Sequence, residues 1–247
     1  MIVSVHQPQY LPWLGYFAKI NASDTFVFLD TVQYKKREFQ NRNRIRTDSG
    51  WLWLTVPVIT KEKYEQAISE VRIDTAVGWQ KKHWMSLSQN YSRAPYFSLY
   101  RQFFEELYMK KWEKLIDLNV CIIEYLLKCF GIDRKIYFES TMSITTKSTD
   151  RIIDICRYLK ADTYLSGTGG RNYLDEEKFK ASGIKLKYQE FIHPQYPQVC
   201  SGFEPCMSAI DALFNMGEKS AELIHGRNSG IQRKNLDKNH NSDENIG

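Results

Sequence analysis

The chain has no long apolar run, no cysteine pair at metal or redox spacing, and no basic run longer than Lys35-Lys36-Arg37. Each absence removes a class of protein. A bilayer-spanning helix needs roughly 20 consecutive apolar residues, so no membrane span is expected. The opening MIVSVHQPQYLPWLGYF has neither a basic n-region nor a continuous apolar stretch, and does not read as a signal peptide. The five cysteines are odd in number and never fall in CxxC or Cys/His order. They read as reduced thiols of a cytoplasmic protein. Paired metal-ligand spacings are missing, so no metal centre is expected, and magnesium would arrive only with a nucleotide. A net charge of +5 without a basic stripe argues against a specific nucleic-acid partner. It suits a small anionic ligand. Neither GK[ST] nor GxGxxG occurs, which removes the commonest phosphate-loop signatures.

What is present is an α/β pattern. Ile2–Val5 reads as a buried strand running into a Pro-rich loop, and Pro12-Trp13-Leu14 as a helix start with proline in its favoured first position. Asn21 or Ser23 would end that helix, and Thr25–Asp30 follows as a strand. Strand, helix and strand within about thirty residues imply a βαβ unit and a parallel sheet. A basic loop spans Gln33 to Arg46, and Trp51–Val58 reads as a third strand. Ile68, Val71 and Ile73 point to another short strand. The middle carries apolar residues at helical spacing in Trp79–Tyr91, Pro95–Met109 and Trp112–Cys129. The last third alternates again. A helix from Ser148, a strand at Asp162–Leu165, a helix at Asp175–Ala181, a strand at Ile184–Gln189 and a helix at Ser208–Asn215 with Gly217 as its cap are expected. The fold class is α/β: a mostly parallel Rossmann-like sheet with helices on both faces and a helical insertion at about 79–130. One domain over 1–225 and a disordered polar tail over 226–247 complete the expected organisation.

Four stretches carry residues suited to chemistry. His6-Gln7-Pro8-Gln9-Tyr10 follows the first strand, where open α/β sheets bind ligands. His6 can donate to an oxyanion or move a proton near neutral pH, or it can simply brace a rigid turn. The basic segment offers Arg42, Arg44 and Arg46, which would share one face if extended, beside Asn41, Asn43, Asp30 and Gln33. Those amides and that acid suit a sugar or ribose. Ser166-Gly167-Thr168-Gly169-Gly170 follows a strand with little side-chain bulk, letting backbone N–H groups approach a phosphate, or forming a plain turn. His193-Pro194-Gln195-Tyr196-Pro197-Gln198 offers His193 as a second proton carrier, and Ser208 downstream could cap the helix carrying Asp211. His83 reads equally as a surface or a site residue.

The strings HQPQYLPWLGYFAKI, DTFVFLDTVQYKKREFQNRNRIR, YLSGTGGRNYLD, YQEFIHPQYPQ and FEPCMSAIDALFNMG, in this order over about residues 2 to 224, resemble the WbqC-like family. The resemblance implies a protein of surface-polysaccharide and O-antigen gene clusters, and transfer of an acyl or aminoacyl group to a nucleotide-linked amino sugar. It singles out His6, Gln7, Pro8, Tyr10, Trp13, Gly15, Asp30, Gln33, Asn41, Arg42, Asn43, Ser166, Gly167, Tyr173, Asp175, His193 and Gln198. Expected roles follow. His6, Asp30 and His193 are the catalytic candidates. Gln7, Tyr10, Trp13, Gln33, Asn41, Arg42, Asn43, Tyr173 and Asp175 would bind substrate. Gly15, Ser166, Gly167, Gly169 and Gly170 would hold phosphate. The expected partner is a nucleotide sugar or another phosphorylated small molecule; the oligomeric state stays open. A second reading is an ATP-dependent, adenylate-forming or nucleotidyltransferase-like enzyme with ATP and magnesium. Gly15-Tyr16 stands where the Gly-His of an HxGH motif would be, so one of its two histidines is missing. A third reading is a non-catalytic carbohydrate-binding or assembly factor.

Overall fold

The computed structural model describes residues 1–225. The expected polar tail, 226–247, lies outside the described residues. Seven strands are present: β1 (Ile2–His6), β2 (Thr25–Phe28), β3 (Arg42–Thr47), β4 (Gly50–Thr55), β5 (Lys135–Phe138), β6 (Thr163–Ser166) and β7 (Lys185–Tyr188). Five of them form a wholly parallel sheet in the order β5-β2-β1-β6-β7. The helices are α1 (Leu14–Asn21), α2 (Trp79–Tyr91), α3 (Phe97–Met109), α4 (Leu115–Cys129), α5 (Ser148–Tyr158), α6 (Glu176–Ser182), α7 (Ala209–Met216) and α8 (Glu222–His225).

Strand alternation divides the apolar residues between two cores. Val3, Val5 and Val27 turn to one face, where they meet Ile152 and Ile155 of α5 and Phe179 of α6. Phe26 and Phe28 turn to the other, where Leu14 and Phe17 of α1 meet Phe104, Ile122, Leu126 and Phe214. The sheet is thus flanked by helices on both faces, with α2–α4 as the helical insertion. Ser4 belongs to the α1 side, where its Oγ lies 2.9 Å from Ser23 Oγ. His6, two residues on, faces the same way.

Some elements differ from the sequence expectation. The basic segment is not a loop at Arg42–Thr47 but strand β3, and β4 pairs with it antiparallel rather than joining the main sheet. Only Asp48 and Ser49 separate the paired ends Thr47 and Gly50, and so short a link permits only a hairpin. Strand β5 was not expected. It has four residues, alternately exposed and half-buried at the sheet edge, too short for a clear periodic signal. Ile68–Glu70 forms a 3-10 turn, and Ile73 makes only an isolated bridge with Val58. Helix α1 begins at Leu14, after an extended Trp13 that bridges Ser208. Gly217 ends α7 at a φ of 59°, as its position predicted.

Candidate functional site

The chain leaves β1 toward β2 on one side, whereas β6, the other neighbour of β1, leads to β7 on the opposite side. The loops after β1 and β6 therefore diverge and leave a crevice at the carboxyl edge of the sheet, where open α/β sheets bind ligands. A cleft of about 450 Å³ opens there, lined by His6, Gln7, Lys19, Leu29, Lys35, Tyr164, Ser166, Gly167, Gly169, Gly170 and Tyr173 among others. A second chamber of about 170 Å³ adjoins it, walled by Trp13, Gly15, Tyr16, Thr168, Gln189 and Phe191. The two share His6, Lys19, Gly167 and Gly169. Among the described residues, no Asp or Glu lines either chamber. A larger depression, about 880 Å³, lies elsewhere, but it mixes exposed Glu62, Glu65 and Glu70 with exposed Lys63, Arg72 and Lys114.

The segment after β1 is held rigidly by backbone contacts. Asn119 Nδ2 donates to Pro8 O at 3.2 Å and Asn43 Nδ2 to Leu11 O at 2.7 Å. Tyr10 N donates to Phe39 O at 3.1 Å and Ala209 N to Pro12 O at 2.8 Å. Leu11 is buried with a φ of 45°, a left-handed conformation that a leucine keeps only where its surroundings impose it. This clamp fixes His6 and Gln7 at one end and Trp13 at the other. Gln7 accepts from Gln40 Nε2 at 3.0 Å through its side chain. Its carbonyl accepts from Tyr16 Oη at 3.2 Å and lies 3.2 Å from His6 Nδ1.

His6 packs edge-on to Tyr16, with ring centroids 5.0 Å apart. Burial first, and then the charge on Lys19, push its pKa down to about 3. The imidazole is therefore neutral at physiological pH, able to accept a proton at one nitrogen and donate from the other. Lys19 follows four residues after Gly15, on the same stripe of α1. It is only 3% exposed, and its Nζ donates to Val5 O at 3.0 Å. Burial lowers its pKa to about 7.

Glycines allow two close approaches here. A Cβ on Gly15 would stand 2.3 Å from the Trp13 ring, so the indole lies flat on the helix backbone. Gly15 O also accepts from Gln189 Nε2 at 2.9 Å, tying α1 to the end of β7. A Cβ on Gly170 would stand 2.0 Å from Ser166 Oγ, which bonds Gly167 O at 3.0 Å.

The structure brings His6, Gln7, Trp13, Gly15, Ser166, Gly167, Gly169, Gly170 and Tyr173 to this cleft. It gives the remaining expected residues other partners. Tyr10 is fully buried and bonds His83 Nδ1 at 2.8 Å and Tyr108 Oη at 2.6 Å, so it and His83 are core groups. Asp30 accepts from Ser140 N at 3.0 Å, securing the turn after β5. Gln33 donates to Tyr64 O at 2.7 Å and Asn41 to Val56 O at 2.8 Å. Asn43 holds Leu11, and Asp175 caps α6 by accepting from the N–H groups of Glu177 and Lys178. Arg42 donates to Arg37 O and lies 4.3 Å over the Trp53 ring, while Arg44 lies 5.1 Å over Trp51. Both stack on the hairpin and neither lines the cleft. His193 is one ring removed from it, stacked 6.3 Å from Trp13. Ser208 stands at the start of α7, yet its Oγ has no partner, so it does not cap through its side chain.

Sequence reasoning missed Lys19, Gln189 and Phe191, whereas Lys35 belongs to the basic segment it singled out and lines the cleft. For Lys19 a signal existed: it is a lone cation in the otherwise apolar LGYFAKI. Among the described residues, no helix is long and apolar enough to cross a membrane, and no group of three or more His, Cys, Asp or Glu could hold a metal. The five cysteines are free thiols.

Comparison with known proteins adds one relative and one family. The uncharacterized protein Rv1507c of Mycobacterium tuberculosis is 33% identical over 224 residues, covering 90% of this chain and 96% of the relative. No solved structure matches the chain. The WbqC-like protein family matches residues 7–223, nearly the whole described structure, and the chain belongs to that family.

Proposed function

We propose that this protein is a transferase of surface-polysaccharide (O-antigen) assembly, moving an acyl or aminoacyl group onto the amine of a nucleotide-linked amino sugar. The observation that carries the reading is the charge of the cleft. It has Lys19 and Lys35 and no carboxylate among its described lining residues, and it opens at the switch point of a parallel sheet. Such a cleft favours an anionic, phosphorylated ligand over a cationic or neutral one. In this reading the glycine turn at Gly167 to Gly170 approaches the phosphates through its backbone. Trp13 and Phe191, ring centroids 5.4 Å apart, offer flat apolar faces to a sugar or base. His6, held neutral, accepts a hydrogen bond from the sugar amine as its nitrogen attacks the acyl carbonyl. The bond from the acyl carbon to the donor breaks as the C–N bond forms, and the donor's leaving group departs with that electron pair and takes up the proton the amine loses. This reading gives Asp30 no role, since it lines neither chamber and its Oδ1 accepts from Ser140 N. The reading includes a cytoplasmic location.

A thermal-shift screen of nucleoside diphosphates and nucleotide sugars tests the ligand class. A ligand present at 100 times its Kd should stabilise by about 2.7 kcal/mol. Indifference to every phosphorylated compound would sink the reading. Amino-acid-dependent pyrophosphate exchange would replace it with carboxylate activation by ATP. His6→Ala should abolish transfer and leave the unfolding midpoint near that of the wild type.

A further inference from the structure

A buried ammonium is costly unless an anion pairs with it. Lys19 has no such partner among the described residues. Its one hydrogen bond goes to the neutral carbonyl of Val5. The smaller chamber it lines is shared with His6 from β1, Tyr16 from α1, Gln189 from the end of β7, and Gly167 and Thr168 after β6. Across the larger chamber stand Lys35, Tyr164, Ser166 and Tyr173. None of these is an acid, and Lys35 adds a second positive charge. The side chain reaches the sheet edge close to the glycine turn, since a Cβ on Gly167 would lie 4.0 Å from Nζ. Folding has thus placed an amine at the junction of two chambers with no counter-ion among the described residues to hold it charged.

We propose that Lys19 Nζ is the proton-carrying anion contact of this cleft: a neutral amine when the cleft is empty, an ammonium bonded to phosphoryl oxygens when it is filled. The inference rests on the reading that the ligand is phosphorylated, and it adds a residue and a proton to that reading. Solvent supplies the proton, no covalent bond changes, and ligand entry takes up about one proton at alkaline pH. The low proton affinity of the empty site, about 7, agrees with the geometry. A bound phosphoryl group would raise it, as an opposite charge within bonding distance does.

The test uses the full chain and inorganic pyrophosphate. Cε resonances of 13C-lysine, with Lys19 assigned from the Lys19→Arg spectrum, report its titration with and without pyrophosphate. Lys19 should titrate near 7 alone and at higher pH once pyrophosphate is bound. Calorimetry at pH 8.5 in two buffers of different ionisation enthalpy should show proton uptake, as expected roughly one to two pH units above the empty-site value. Wild-type affinity should fall by up to about tenfold per pH unit above 7, and Lys19→Met should bind weakly with no uptake. Pyrophosphate binding that leaves the Lys19 titration unmoved would overturn this inference and spare the phosphorylated-ligand reading. A Lys19 that titrates near 10.5, the ordinary lysine value, would overturn it as well. If the wild type binds neither pyrophosphate nor any nucleotide, both fall together.

Discussion

At the scale of single residues, the cleft depends on what side chains leave out. Gly15 has no Cβ, and the Trp13 ring occupies the space a Cβ would need. Gly15→Ala should displace the indole into the smaller chamber. The expected cost is about 1–3 kcal/mol, typical of overpacking, with a larger proportional loss of nucleotide-sugar binding. Denaturant midpoints and ligand-induced thermal shifts measure the two effects. A variant as stable as the wild type that binds as well would mean the ring is not fixed there. Lys19 makes the complementary case. In the string LGYFAKIN a lysine two residues from the helix end reads as solvated, and only the docking of α1 against β1 buries it.

Elements are joined by a few buried polar groups. Asp211, fully buried at the start of α7, accepts from Tyr91 Oη of α2, from Tyr196 Oη and from Gln198 Nε2, each at 2.8 Å. Burial raises its pKa, and the three donors oppose that rise. Tyr91 Oη in turn accepts from Arg46 N of the hairpin at 2.9 Å. One carboxylate therefore links the hairpin, α2, α7 and the loop bearing His193. Asp211→Ala would leave those donors unpaired and should destabilise the fold by about 3–5 kcal/mol, the usual result of breaking a buried polar pair. Asp211→Asn should cost less, because it keeps an acceptor. Equal midpoints for the two variants would show that the network does not couple these elements. Element identity was legible where periodicity was strong. β1, β2 and β6 read directly as short, largely apolar runs, and β7 as an alternation of lysine with Leu186 and Tyr188. β5 did not, and the arginine segment hid a strand because one face carries Arg42, Arg44 and Arg46, the last of them buried, and only Asn43 and Ile45 lie on the other face toward the interior.

Over the whole molecule, His6 and Lys19 bias the pH dependence of stability in the same direction. Each has a folded pKa below its unfolded value, so the unfolded chain binds more protons between the two. For His6 that window runs from about 3 to 6.5, and stability is lost as pH falls through it. For Lys19 it runs from about 7 to 10.5, and stability rises with pH across it. Lys19→Met removes the second contribution. The variant should be more stable than the wild type at pH 7, and its advantage should shrink by roughly 3 kcal/mol by pH 9.5, at about 1.4 kcal/mol per pH unit. Urea midpoints of both proteins across this range give the comparison. Parallel profiles would show that Lys19 is not held neutral.

Sequence alone determined the α/β class, the strand-loop-helix opening, the helical insertion and the family strings, because each rests on local order: apolar period, turn chemistry, contiguous motif. It also located both loops of the cleft, since a loop at the end of a parallel strand has only one edge of the sheet to occupy. Tertiary structure decided which polar residues reach that cleft. Asn41, Asn43 and Asp30 look like ligand-binding groups in sequence, yet buried backbone groups need partners and claim them first. Lys19 looks like a solvated charge, yet the packed helix buries it, and the fold brings it and the exposed Lys35 around one crevice whose described lining has no carboxylate. Burial and pairing are properties of the packed chain, and local pattern hints at them only where, as at Lys19, a lone cation interrupts an apolar string.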